Sequence, residues 1–342
     1  DLRSLPEDDN SDLLGACICV LANPERVVRL HNNVADSSVS RSILATGDAL
    51  PGIWVTLNGS AEPFRISMRS DPEVRFLISD MLSAETVTSP TKIGFDLSTE
   101  AALVLMAILD QSRRSWLVSL LRHLEPVSIF SLEDIRQHLT DASIEDFRWT
   151  LPLVEKLMPL PLNEMAIVAD PRPAILELIE AGLIEALNEE ATAFDWTAPG
   201  RVLAEGDRQA ASRLVLAQSY LLPQDDIAHD VMLLTRTPLD IFLILMSGAE
   251  ASLLTMLPGD LNALLEQVFV APLIQESKPM EEASSHEPKL DEKADRTSEV
   301  PVSTVQPVAP EMSKPALKFC THCGAKLTEG ARFCLKCGTP VR

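Results

Sequence analysis

The sequence predicts an α+β protein: a pseudo-two-fold pair of duplicated antiparallel sheet–helix units around a helical middle, then a disordered linker and a small cysteine-rich module. Three observations predict it. Short apolar runs broken by turn residues occupy both ends of the body, a central stretch carries helical periodicity, and the chain closes on two Cys-x-x-Cys knuckles. The expected segments are a first sheet–helix unit at 13–84, a helical middle at 98–206 and a second sheet–helix unit at 211–272 packed with the first. A linker at 273–317 and the module at 318–342 complete the chain.

Residues 1–12 are acidic and polar and are expected to fray. In the first unit the apolar runs are Gly15–Ala22, Arg26–Leu30, Val39–Thr46, Ile53–Leu57 and Phe64–Met68. Asn58-Gly59 between two of them is a hairpin signal, because both residues tolerate positive φ. Apolar residues at 74, 77, 78, 81 and 82 give Pro72–Ser83 the single apolar face of a helix.

Residues 85–97 read as a connection, and Ser98–His123 as a long helix. Ser131-x-x-Asp134 and Ser143-x-x-Asp146 are helix starts, each placing a carboxylate three residues after a capping hydroxyl. Asp170-Pro171 is a third start, with Gly182 as its stop. Two short strands at 183–187 and 191–197 precede a short helix through Val202 and Leu203.

In the second unit, strands are expected at 212–221, 230–235, 241–246 and 252–257, with a helix at 260–269. This order repeats that of the first unit. A shift of 188 aligns Ile43–Ser70 without gaps, placing Trp54 on Phe242, Ile66 on Leu254 and Met68 on Met256; dropping one residue pairs Leu77 with Leu264.

Apolar residues make up 46% of the 342, and aromatics only 4%, so Leu, Ile, Val and Ala must build the core. The longest apolar runs are too short to span a bilayer, and no basic segment followed by an apolar stretch marks a signal peptide. A soluble, cytoplasmic protein is expected. The first residue is Asp1, so an upstream or processed N-terminus is expected as well.

The net charge of −21 is unevenly spread: residues 318–342 carry +4, leaving −25 on residues 1–317. Such a body repels a phosphate backbone, which leaves nucleic-acid contact to the basic module. Six cysteines in a chain of this length do not form a disulfide framework. Cys17 and Cys19 fall in an apolar run read as a strand, which places both thiols on one core face.

The other four cysteines carry the clearest chemistry. Phe319-Cys-Thr-His-Cys-Gly and Phe333-Cys-Leu-Lys-Cys-Gly are two copies of one knuckle, with ten residues between the inner cysteines. Cys320, Cys323, Cys334 and Cys337 supply the four thiolates that a structural Zn²⁺ prefers, and Gly324 and Gly338 let the backbone curl beneath the sulfurs. Iron of the rubredoxin kind is the alternative; nothing here marks an electron-transfer partner, so zinc is favoured. His322 lies between two ligands and is read as surface. The stretch 319–338 resembles the short C-terminal zinc-ribbon family. The resemblance implies one structural zinc and a small platform for contact with protein or nucleic acid, without an open coordination position for catalysis.

No phosphate loop, dinucleotide fingerprint, HExxH or nucleophile elbow occurs. Histidines 31, 123, 138, 229, 286 and 322 are scattered, and His123 and His138 are read as surface or cap residues. The expectation is a non-catalytic interaction adaptor or chaperone-like protein that binds a protein partner and does not insert into a membrane. The element order across 15–270 is weakly similar to EspG-like chaperones of type VII (ESX) secretion systems, which implies a protein-binding role but assigns no residues. Residues 131–206 resemble a winged helix, with Ser143–Met158 as the natural recognition helix; the alternative is therefore a transcriptional regulator. That helix is acidic and holds Pro152, which suits a DNA groove poorly.

Overall fold

The computed structural model describes residues 7–34, 38–59, 65–142, 146–221 and 227–269. The expected linker at 273–317 and the four knuckle cysteines lie outside the described residues. The chain divides into units 1–278 and 279–342, and every described residue belongs to the first.

After helix α1 (Glu7–Ala22), strands β1 (Arg26–Val34), β2 (Ser38–Thr46), β3 (Ile53–Asn58) and β4 (Arg65–Ser70) pair as successive antiparallel neighbours, followed by α2 (Asp71–Met81). The middle contains β5 (Gly94–Ser98), α3 (Thr99–Arg122), β6 (Phe130–Ser131), α4 (Leu132–Asp141) and α5 (Thr150–Glu155). It continues with α6 (Ala166–Ala169), α7 (Arg172–Glu180), β7 (Ile184–Ala186), β8 (Ala193–Trp196) and α8 (Ala198–Arg208). A second antiparallel series, β9 (Ser212–Leu221), β10 (Ile227–Arg236), β11 (Ile241–Ser247) and β12 (Glu250–Met256), leads into α9 (Pro258–Phe269).

The two series join in one nine-stranded sheet ordered β4-β3-β2-β1-β9-β10-β11-β12-β5, and a small sheet runs β6-β8-β7. At the junction Leu30 of β1 lies opposite Leu216 of β9. Alternate residues of the strands go to alternate faces. Leu214, Leu216, Met232, Leu234, Ile241 and Leu243 pack with Leu30, Leu44 and Trp54 beneath α2 and α9. Val215, Ala217, Val231, Leu233, Phe242 and Ile244 pack on the opposite face with α3 and the helical middle. On that opposite face the first strand series is covered instead by α1, through Cys17 and Val20 against Ala45 and Val55. Coverage on both sides explains why β9 is buried at seven consecutive positions, with the apolar residues 214–217 in an unbroken row rather than alternating.

Several expectations are corrected. Cys17 and Cys19 lie on a helix that begins at Glu7, not on a strand after a frayed end. Positions 13, 16, 17, 20 and 21 are the less exposed ones, a helical spacing that outweighs the apolar run. Cys17 is therefore buried and Cys19 exposed.

The hairpin signalled at Asn58-Gly59 is present, since β3 and β4 pair antiparallel, but Asn58 itself belongs to the ladder. Asn58 pairs with Arg65 across the ladder, and its side chain accepts from Ser42 Oγ at 2.6 Å, which keeps it in the strand. The connection 85–97 contains the start of β5, which pairs with β12 at the sheet edge. The helix expected from Ser143 is only Thr150–Glu155, with all six residues buried, so it cannot enter a groove. Finally, Trp54 and Phe242, aligned by the ungapped shift, lie in clusters on opposite faces; Leu243 shares the face of Trp54.

Candidate functional site

Helix α3 changes character halfway along. Ser98 caps its start by accepting from the Ala101 N–H at 3.0 Å, and Glu177 of α7 fixes the cap by accepting from Ser98 Oγ at 2.6 Å. Ala101–Leu109 are all buried in the main core. Beyond them Leu117, Val118, Leu120, Leu121 and Leu124 are exposed, Leu121 to 82%. His123 closes the helix in the left-handed conformation (φ +54°), and the chain returns along α3 with Val127 and Ile129 also exposed. Ser115 Oγ holds that return by donating to the Val127 carbonyl at 3.3 Å. Apolar side chains gathered on one exposed segment mark a contact surface rather than scattered exposure.

A buried ionic network fixes the root of this projection. Asp110, fully buried on α3, accepts from the backbone N–H groups of Thr150 and Leu151, each at 2.8 Å. It also faces Arg113 at 3.7 Å. Arg113 reaches Asp207 of α8 at 4.0 Å and lies over the Trp149 ring at 4.9 Å, and Asp207 pairs with Arg213 of β9 at 2.9 Å. Burial pushes the Asp110 carboxyl up; the Arg113 guanidinium opposes that shift. The network ties α3, α5, α8 and β9 together beneath the exposed apolar end.

Between this half of α3, its return segment and α8 lies a cleft of about 270 Å³. Trp116, Pro126, Val127 and Trp196 form its apolar lining, and Arg201 and Arg208 of α8 its cationic part. The Arg208 guanidinium lies over the Trp116 ring at 5.2 Å, and Arg201 pairs with Asp195 at 3.2 Å. Trp196 itself is 2% exposed, and its Nε1 has no hydrogen-bond partner among the described residues.

Among the described residues the histidines do not converge. His123 is the cap of α3, as expected, whereas His138 is buried against Trp149 rather than on the surface. His229 on β10 meets Ser219 Oγ at 2.8 Å and the Leu157 carbonyl at 2.9 Å, and burial holds it below its usual range. Among the described residues no group of three or more His, Cys, Asp or Glu is placed to hold a metal. No helix among them is long and apolar enough to cross a membrane. Cys320, Cys323, Cys334 and Cys337 are outside that set, and the fit to zinc rests on the chemistry of four thiolates. Sequence reasoning missed Trp116, Trp196, Arg201 and Arg208, because nothing in α3 or α8 signals that they share a cleft.

Residues 319–341 match the model of the zinc-ribbon domain family. No curated protein matches the chain. Among solved structures, the chain is similar to the type VII secretion system chaperone EspG5 of Mycobacterium tuberculosis, determined in complex with a PE25–PPE41 dimer. That similarity is weak: 11% identity and a TM-score of 0.36, over 77% of this chain and 78% of that one.

Proposed function

We propose that this chain is a non-catalytic protein-interaction protein, adaptor or chaperone-like, whose acidic α+β body binds a partner through the projecting end of α3. The observation that carries this reading is the set of exposed apolar side chains between Leu117 and Ile129, at the end of a helix whose residues 101–110 are all buried. Leaving that much apolar side chain in water costs on the order of 1–2 kcal/mol per residue, which a partner's apolar surface recovers.

Residues 318–342 form a zinc ribbon in this reading, with Cys320, Cys323, Cys334 and Cys337 as ligands to one structural Zn²⁺. Residues 273–317 act as a tether that makes a second contact effectively intramolecular. The body is read as a duplication. Leu44 and Met232, offset by 188, share the face beneath the helices; so do Val74 with Leu261 and Ile78 with Leu265, offset by 187. Single-residue slips between strands account for the failure of one ungapped shift.

The test uses the full-length chain and its Leu121→Asp/Leu124→Asp variant. Proteins captured from the native cell are remade pure and titrated calorimetrically. A pure partner should bind the native chain, and the variant should weaken it by about tenfold or more. Absence of any pure binder, or equal affinity for the variant, removes the reading.

A further inference from the structure

The cleft between α3 and α8 has a more specific chemistry than the apolar run beside it. Three features converge there. The ring of Trp116 and the side chains of Pro126 and Val127 offer an apolar wall. Arg201 and Arg208 bring cationic groups to the cleft, each already facing one carboxylate, Asp195 and Glu205 respectively, in a chain whose net charge is −21. Trp196 brings an indole N–H that makes no hydrogen bond among the described residues. A buried donor left without an acceptor costs roughly 1–3 kcal/mol, so a ligand that supplies one recovers that energy on binding.

The orphan donor discriminates between occupants. The carbonyls of an α-helix are bonded within the helix except in its last turn, so a helix lying in the cleft has no acceptor for Trp196. An extended segment keeps its carbonyls free. A polyproline II segment does so with little ordering entropy and presents flat rings to aromatic walls. The ion pairs of Arg201 with Asp195 and of Arg208 with Glu205 each have one exposed partner, Arg201 and Glu205, which opens them to exchange for a ligand carboxylate.

We infer that the cleft binds an extended, proline-containing acidic segment of a partner protein, with a backbone carbonyl accepting from Trp196 Nε1, an apolar or proline ring against Trp116, and a carboxylate on Arg201 and Arg208. Because Nε1 is sealed from solvent in the free protein, side chains at the cleft must rearrange for the segment to reach it. The site rests on the reading of this end of α3 as a contact surface. It continues that surface, since Trp116 and Leu120 are one helical turn apart and Val127 belongs to both.

The test titrates the full-length chain, with nitrogen-15 in its tryptophans, with an acetylated peptide Glu-Pro-Val-Pro-Leu-Pro-Glu-Glu and follows the indole N–H resonances. Two controls are the same peptide with Glu replaced by Lys and an acidic, alanine-rich helical peptide. The Trp196 and Trp116 resonances should shift saturably, and those of Trp54 and Trp149 should not. Lys replacement, and the Arg201→Glu/Arg208→Glu variant, should each weaken binding at least about tenfold. Trp196→Phe, which keeps the ring, should weaken it by roughly five- to tenfold, read at Trp116.

No saturable shift at millimolar peptide overturns the inference, and so does equal binding of the helical or the lysine peptide. Failure here leaves the wider reading standing if a partner still depends on Leu121 and Leu124. Peptide binding without any such partner leaves the cleft assigned and removes the wider reading.

Discussion

Gly200 of α8 lies against the Leu183 carbonyl so closely that a methyl group on its Cα would overlap that oxygen and stand 2.7 Å from Cε3 of Trp196. This approach lets α8 rest on β7 and β8 and places Arg201, the next residue, at the cleft. Thr197 supports the same corner by donating from Oγ1 to the Leu183 carbonyl at 2.9 Å, while its backbone N–H donates to that oxygen at 3.2 Å.

Gly200→Ala should therefore destabilise the body by about 1–3 kcal/mol through overpacking, despite the gain in helix propensity. The obstacle is backbone, which cannot rotate away as a side chain can. Urea denaturation followed by tryptophan fluorescence checks this; unchanged stability would show that α8 stands further from Leu183.

Asp110 is the centre of the buried ionic network, and its two oxygens hold the first N–H groups of α5. Asp110→Ala should cost about 3–5 kcal/mol, because it leaves two backbone donors unbonded and Arg113 buried with one carboxylate fewer. In contrast, Arg172→Ala, which removes the surface ion pair with Asp170 at 3.8 Å, should cost less than about 1 kcal/mol. Equal losses in the two variants would refute the hierarchy.

Much of the fold was legible because its signals are local. Ser131 caps α4 as its spacing to Asp134 predicts, and Gly182 stops α7 at φ +73°. The strands β9–β12 were legible as apolar runs because turn residues bound each of them. What stayed hidden depends on tertiary context. Asn58-Gly59 signals a tight turn, yet Ser42 across the ladder holds Asn58 in the strand. Leu105 and Leu121 are alike in sequence, and only the packing of α4, α5, α7 and α8 around the first half of α3 makes one core and the other surface. The cleft joins residues 116, 127, 196 and 201, which no local pattern relates.

The helical setting of Cys17 and Cys19 gives a direct chemical test. Positions two apart on a helix point about 200° apart, so one thiol faces Ala45 and Val55 and the other faces water. Burial also pushes the Cys17 thiol up, which lowers its thiolate fraction at neutral pH. A brief iodoacetamide pulse with peptide mapping should label Cys19 at least about a hundredfold faster than Cys17. Comparable labelling would mean that both thiols share one environment, as on the exposed face of a strand.

The last prediction concerns acid. His31 on β1 packs edge-on against Phe147 at 6.2 Å, and burial, reinforced by the charges of Arg41 and Arg29, lowers it from 6.5 to about 4; a hydrogen bond to the Leu153 backbone opposes the shift only in part. A histidine held below its unfolded value binds fewer protons folded than unfolded, so its contribution is complete above pH 6.5 and disappears as pH falls toward 4. The full effect is on the order of 3 kcal/mol before discounting for partial solvent access. His138 and His229 are also held low, chiefly by burial, and reinforce the direction. Thermal midpoints recorded from pH 7 to pH 4 should therefore fall. In His31→Phe, which keeps an edge-on ring but carries no proton, the fall should be shallower in that window. A parallel decline in both proteins would show that His31 stays protonated in the folded chain, with Arg41 and Arg29 turned away from it.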